Sequence, residues 1–132
     1  MIKTITHWKK GHEFEAEHQG NKIKIDGAAK NGHGPKALLL SALAGCSGID
    51  VVEILTKMRV SFSSLEMEAE TTQTEENPKV FRDILIVYKI KTDKQNVEKV
   101  KKAIELSLEK YCGVSAMLKK NSSISYKLII ES

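Results

Sequence analysis

Apolar and polar positions alternate through the first 26 residues. The stretch "MIKTITHW" (1–8) alternates, "EFEAEH" (13–18) sets Phe14 and Ala16 opposite Glu13, Glu15 and Glu17, and "NKIKID" (21–26) repeats the period with Ile23 and Ile25. Period two marks strands with one buried face. Gly11 and the pair Gly20–Asn21 supply turns, so the pattern predicts an antiparallel meander followed by a loop over 27–34. Pro35 then opens a helix, where proline loses no needed N–H.

That helix, about 35–58, breaks the alternation. Leu38, Leu39, Leu40, Leu43, Ile49, Val52 and Leu55 cover nearly its whole circumference. A helix apolar all round is buried on all sides, and in a chain this short one sheet cannot cover both faces. A second helix or a second subunit must do so, and Ala42, Ala44, Gly45 and Gly48 would let a partner backbone approach closely. The expectation is an obligate homodimer.

Period two returns after Arg59, with Leu65, Met67 and Ala69 against Glu66, Glu68 and Glu70; "TEENPK" (74–79) turns into a central strand over 80–91, apolar on both faces from Ile84 to Tyr88. Asn96 is placed to cap a helix over 97–111, whose stripe is Val97, Val100, Ile104, Leu108 and Tyr111. Cys112 and Gly113 interrupt it, "VSAMLKK" (114–120) gives a short helix, and "SISYKLII" (123–130) closes as a strand. The order β-β-β-α-β-β-α-α-β predicts an α+β fold in a single domain, 1–132, with Met58, Met67 and Met117 as core fillers.

Composition removes several classes of function. Hydrophobic residues make up 41% and charged residues 29%, an ordinary globular balance, and the net charge is +4. Lysine supplies 19 of the 21 basic residues, and aromatics are 5%, so the clustered arginine and stacking platforms of a nucleic-acid binder are missing. No secretory signal opens the chain, and the longest uncharged run, Ala37–Ile49, is 13 residues, too short to span a bilayer. The expected compartment is the cytoplasm, with no membrane and no nucleic acid as partners. There cysteines stay reduced unless they are catalytic.

Two cysteines, Cys46 and Cys112, stand 66 positions apart, and neither they nor His7, His12, His18 and His33 show zinc-site spacing; no metal or cofactor is expected. His33, beside Gly34–Pro35, reads as a loop histidine, and Trp8 as an edge or dimer contact. Two readings stay open for the thiols: buried packing, or a redox pair.

The element order, with "GPKALLLSALAGCSGIDVVEIL" (34–55) and "LEKYCGVSAMLKK" (108–120), resembles the OsmC/Ohr family (osmotically inducible protein C and organic hydroperoxide resistance proteins), and most closely its YhfA-like branch. The resemblance covers essentially the whole chain. It implies antiparallel sheets around two long central helices in an intertwined homodimer, with sites at the subunit boundary. It also implies a thiol-dependent peroxidase active in oxidative stress. Cys46 matches the cysteine that attacks a hydroperoxide, Cys112 matches the resolving cysteine, and an external dithiol reductant reopens the disulfide.

Free cysteine, at about 8.5, is only slightly ionised at neutral pH. Peroxidases of the family activate it with a loop arginine and a glutamate nine residues before the first cysteine. Here Ala37 stands at the glutamate position, Asp26 near the arginine position, and residues 11–34 contain no arginine. Lys22, Lys24, Lys30 and Lys36 are candidate replacement cations, and Asp26, Asp50 and Glu105 candidate acids. Asp50, four residues after Cys46, shares its helix face and would raise a nearby thiol's pKa or receive a proton. Cys112, at a helix N-terminus, is on physical grounds the more acidic thiol, whereas the resemblance assigns the attack to Cys46. An apolar lining of Leu39, Leu43, Ile49 and Met117 would favour organic hydroperoxides over hydrogen peroxide. The alternative reading is a non-catalytic dimer of the same fold that binds a small apolar or thiol-containing ligand.

Overall fold

Turn chemistry shapes the first sheet. In the computed structural model, which describes every residue from Met1 to Ser132, β1 (Ile5–Lys10), β2 (Glu13–His18) and β3 (Asn21–Asp26) form an antiparallel meander in that order. The second hairpin turns at Gln19–Gly20, one residue earlier than the sequence pattern predicts. Both residues have positive φ (50° and 83°), and Asn21 is already paired with His18. Paired positive φ values match the twist of the flanking strands. Cross-strand pairs Trp8–Phe14 and Phe14–Ile25 align the aromatic positions.

The chain divides into two compact units, Met1–Leu40 and Ser41–Ser132. The first unit holds this sheet, the loop after it and the first turn of α1 (Pro35–Lys57). In the loop the Asp26 carboxylate accepts the backbone N–H groups of Ala28 (2.8 Å), Asn31 (3.0 Å) and Lys30 (3.3 Å). Gly32 is required by contact: a Cβ there would stand 2.6 Å from the Lys24 carbonyl oxygen.

The second unit carries the rest of α1, then β4 (Ser64–Gln73), β5 (Phe81–Lys91), α2 (Val97–Leu106), α3 (Gly113–Leu118) and β6 (Ile124–Glu131). Its sheet runs β4-β5-β6 with β5 central. β4 pairs antiparallel with β5, but β6 pairs parallel with β5, so this sheet is mixed where antiparallel sheets were expected. The long connection through α2 and α3 supplies the crossover that a parallel neighbour needs. Along β5, Ile84, Ile86, Tyr88 and Ile90 are buried, and they form the core with Leu43, Val51 and Leu55 of α1 and Val100, Ala103 and Ile104 of α2.

Four expectations are corrected by the structure. Within this single chain α1 is buried on one stripe, while Ile49 and Val52 are exposed; Met117 is exposed as well, not a core filler. Asn96 makes no side-chain cap, and its side-chain NH2 donates to the Thr92 hydroxyl. The predicted 97–111 helix is α2 continued by one π turn, Ser107–Tyr111. The extra residue in that turn carries Tyr111 off the buried stripe, and its ring is exposed. By length and composition α1 is long and apolar enough to cross a bilayer, although its uncharged run is short. Its buried side chains nevertheless belong to the core of the second unit.

Candidate functional site

Cys46 lies half-buried on α1, next to the buried stripe of Leu43, Ser47, Val51 and Leu55. Gly48 lets this helix lie close to β4, since a Cβ there would come 2.7 Å from the end of the Met67 side chain. Cys112 ends the π turn: its N–H donates to the Ser107 carbonyl at 2.7 Å, the wide ring that defines such a turn. Its backbone is extended, and it serves as the N-cap of α3, with its Sγ accepting the Ser115 N–H at 3.3 Å. The Leu108 carbonyl, freed where the helix ends, accepts from the Ser115 hydroxyl at 3.0 Å and from the Lys119 ammonium. The N-cap position of Cys112 is as the sequence predicts.

Its acidity is not. Burial pushes the Cys112 thiol up to about 11; the neighbouring Cys46 thiol and the charge of Asp50 push the same way, and the Ser115 N–H alone opposes them. At 3% exposure the desolvation of a thiolate outweighs the N-terminal amide of a six-residue helix. The two free thiols are far apart in sequence, yet Cys46 and Asp50, both on α1, are among the groups that raise the Cys112 thiol.

Beside them runs a polar chain that the sequence reading missed. The Tyr88 hydroxyl meets Ser47 Oγ at 2.6 Å, Ser47 Oγ meets Ser107 Oγ at 2.9 Å, and Ser107 Oγ meets Asp50 Oδ2 at 2.9 Å. With a carboxylate at one end, each hydroxyl can donate once along the row: Tyr88 to Ser47, Ser47 to Ser107, Ser107 to Asp50. Ser47, Ser107 and Tyr88 are fully buried, so the row joins α1, β5 and the π turn where water cannot compete. Burial lifts the Tyr88 hydroxyl to about 12, so it remains a donor. The available signal was a serine at each of two core-facing helix positions, since a buried hydroxyl requires a partner.

The other candidates lie elsewhere. Asp26 belongs to the first unit, where backbone amides, Ala28 first, hold its carboxyl below the usual range. Lys36 is exposed in the first turn of α1, within the same unit. Glu105 sits on the exposed side of α2 and accepts the Tyr126 hydroxyl at 2.8 Å. Burial and this carboxylate raise the tyrosine to about 12. Only Asp50 of the proposed acids adjoins the thiols. Of the expected apolar lining, Leu43 is a core residue, and Leu39, Ile49 and Met117 are exposed. An open cavity of ≈580 Å³ has Asp50, Glu53, Lys57, Leu106 and Tyr111 on its walls. No three His, Cys, Asp or Glu side chains gather as metal ligands.

Residues 27–127 match the family described as OsmC-like protein. The chain is 34% identical over 126 residues to Protein YhfA of Escherichia coli K12, covering 92% of this chain and 94% of that one. Among solved structures it is similar to a hypothetical protein from Aquifex aeolicus, with TM-score 0.85, 26% identity and coverage of 100% and 98%. It shares a fold with the organic hydroperoxide resistance protein OhrB of Bacillus subtilis, with TM-score 0.64, 18% identity and 97% coverage of each chain.

Proposed function

The chain belongs to the OsmC-like protein family, and from that membership we propose that it is a thiol-dependent peroxidase of the cytoplasm that reduces organic hydroperoxides through Cys46 and Cys112. The supporting observation is the Asp50–Ser107 hydrogen bond of 2.9 Å, with the Cys112 N–H on the carbonyl of the same serine at 2.7 Å, which ties the helix of Cys46 to the segment of Cys112. The Cys46 thiolate attacks the outer peroxide oxygen; the O–O bond breaks, and the departing alkoxide takes a proton to become the alcohol. Cys46 is left as a sulfenic acid. The Cys112 sulfur then displaces hydroxide from the Cys46 sulfur; the hydroxide leaves as water with the Cys112 proton, and an S–S bond forms. An external dithiol returns two electrons and two protons and restores both thiols.

The working form in this reading is a homodimer, in which a second copy covers the exposed Ile49 and Val52 of α1. A second function is favoured by Ala37 at the glutamate position and by the absence of arginine from residues 11–34. It is a dimer that binds a small apolar or thiol-containing molecule without turnover. Consumption of cumene hydroperoxide with dithiothreitol as reductant separates the two. The peroxidase reading expects slow turnover that Cys46→Ser abolishes. In Cys112→Ser a single turnover should leave an oxygen adduct on Cys46, visible by mass spectrometry. Both thiols surviving excess peroxide unmodified would overturn the peroxidase reading.

A further inference from the structure

The open cavity of ≈580 Å³ falls within the size range of small-molecule sites, about 300–1,000 Å³. Asp50, Glu53 and Lys57 stand on its wall at spacings of three and four along α1, so they share one helix face. Cys46, one turn before Asp50, belongs to that face too. Ile49 and Val52, the exposed apolar positions of α1, fall on a different face and take no part in the wall. Ile54, Met58 and Leu106 give the cavity an apolar back, and the exposed Tyr111 ring closes one side.

Of the two carboxylates, Asp50 is the fixed one. Ser107 Oγ donates to it at 2.9 Å, and Ser47 and Tyr88 extend that contact into the core. One donor uses only part of a carboxylate's capacity of about four acceptor sites. Neither Asp50 nor Glu53 forms an ion pair within the chain. Lys57 is the one cation on the wall, and Lys110 Nζ stands 5.5 Å from the centre of the Tyr111 ring. Negative charge is therefore in excess at the Asp50 end. The π turn builds both halves of this pocket: its first residue, Ser107, holds Asp50 from inside, and its last, Tyr111, forms the outer wall. Turns of this kind recur at functional sites.

We propose that this cavity is a binding site for a small organic cation, a primary ammonium on a short apolar or aromatic chain. The Asp50 carboxylate is its ion partner, Glu53 a second acceptor, and Leu106 and Tyr111 pack against the chain. A metal ion is poorly served, since no three ligating side chains gather here, and an anion meets two carboxylates. Nothing in this binding requires the cysteines to react. Its link to the proposed peroxidase is one of place, and it rests on reading Cys46 as the attacking thiol. A thiol or hydroperoxide that also carries an ammonium group would be held one helical turn from that sulfur.

The test is an NMR titration of the reduced protein at about pH 7, without peroxide. The probes are 2-phenylethylammonium, 2-phenylethanol and 3-phenylpropionate, which share a ring and differ in charge. The ammonium should saturate, shifting the amide signals of Asp50, Glu53 and Tyr111, with a Kd about tenfold below that of the alcohol. The carboxylate should not saturate. Asp50→Asn keeps the shape and an acceptor for Ser107, and should raise the ammonium Kd about tenfold; Glu53→Gln, at a more exposed charge, should raise it about threefold. Equal Kd values for ammonium and alcohol on the wild-type protein overturn the proposal without recourse to any variant. So does an unchanged Kd in a folded Asp50→Asn protein. Saturable ammonium binding in a protein whose thiols both survive peroxide would keep the site and remove only its link to Cys46.

Discussion

Two aspartates, Asp26 and Asp50, have the same chemistry and opposite placements. The Asp26 carboxylate collects three N–H groups from within the next five residues. The Asp50 carboxylate is held by a hydroxyl 57 positions away. The first satisfies its own loop, so its energy goes into a local conformation. The second joins two helical segments, so its energy depends on the whole fold of the second unit. The difference shows that a carboxylate near a functional motif in sequence is a site residue only when its partners are distant ones. Locally saturated acceptors have little left to offer a substrate or a thiol.

The largest test of the local half is Gly32→Ala. A Cβ 2.6 Å from the Lys24 carbonyl oxygen must displace backbone, because no flexible side-chain end can yield. The expected cost is about 2–3 kcal/mol, in the range of overpacked sites. Amide exchange should show that loss at Ala28, Lys30 and Asn31, while amides of α2 keep their protection. Equal loss in both places would mean that the loop and the thiol region are not separate in the way the two aspartates indicate.

The distant half is tested by Tyr88→Phe. The ring stays, but the hydroxyl 2.6 Å from Ser47 Oγ is lost at a fully buried site. Ser47 can still donate to Ser107, so one partner is missing instead of two. The expected loss is about 1–1.5 kcal/mol by chemical denaturation. It should come with increased iodoacetamide labelling of neither cysteine, because Asp50 and Ser107 remain paired. A gain in Cys112 labelling would show that the hydroxyl row also shields the thiol from water.

The same contrast explains what the sequence could tell. Strands β2 and β3, the start of α1 and the capping role of Cys112 follow from local period, turn residues and proline, and lie where the pattern puts them, while β1 runs past the Trp8 end that the pattern gives it. The parallel seat of β6 depends on a crossover that no local pattern encodes. The π turn adds one residue to a helix whose stripe reads as continuous in sequence, so Tyr111 was assigned to the core and is exposed. In the candidate site, the motifs name both cysteines and the spacing names Asp50, and the helices that carry them stand where the pattern puts them. Ser47, Ser107 and Tyr88 were not legible, because two serines and a tyrosine acquire meaning only when three distant segments meet. The acidity of Cys112 failed for a related reason: the helix end is local and visible, whereas the burial that outweighs it is tertiary.

The smallest expected effects lie at the two ends of the pH scale, and there the two regions separate by sign. Backbone amides lower the Asp26 pKa from its ordinary value of 3.8. Its stabilising effect is therefore complete above that value and is lost as pH falls through the lower folded one. The loss should appear first as exchange at Ala28 and Asn31, and Asp26→Asn should remove this pH dependence. Cys112 moves the other way, from 9.0 to about 11. Below pH 9 its thiol is neutral folded or unfolded, so it contributes no pH dependence. Between about 9 and 11 the unfolded chain releases the proton first, and stability declines with rising pH. Cys112→Ala should flatten that alkaline decline while leaving the acid limb unchanged. Tyr88, lifted to about 12, adds a slope only above 10 and so does not imitate it. If Cys112→Ala keeps the full decline between 9 and 11, the desolvated thiol is not its source, and Cys112 is more open to water than its 3% exposure indicates.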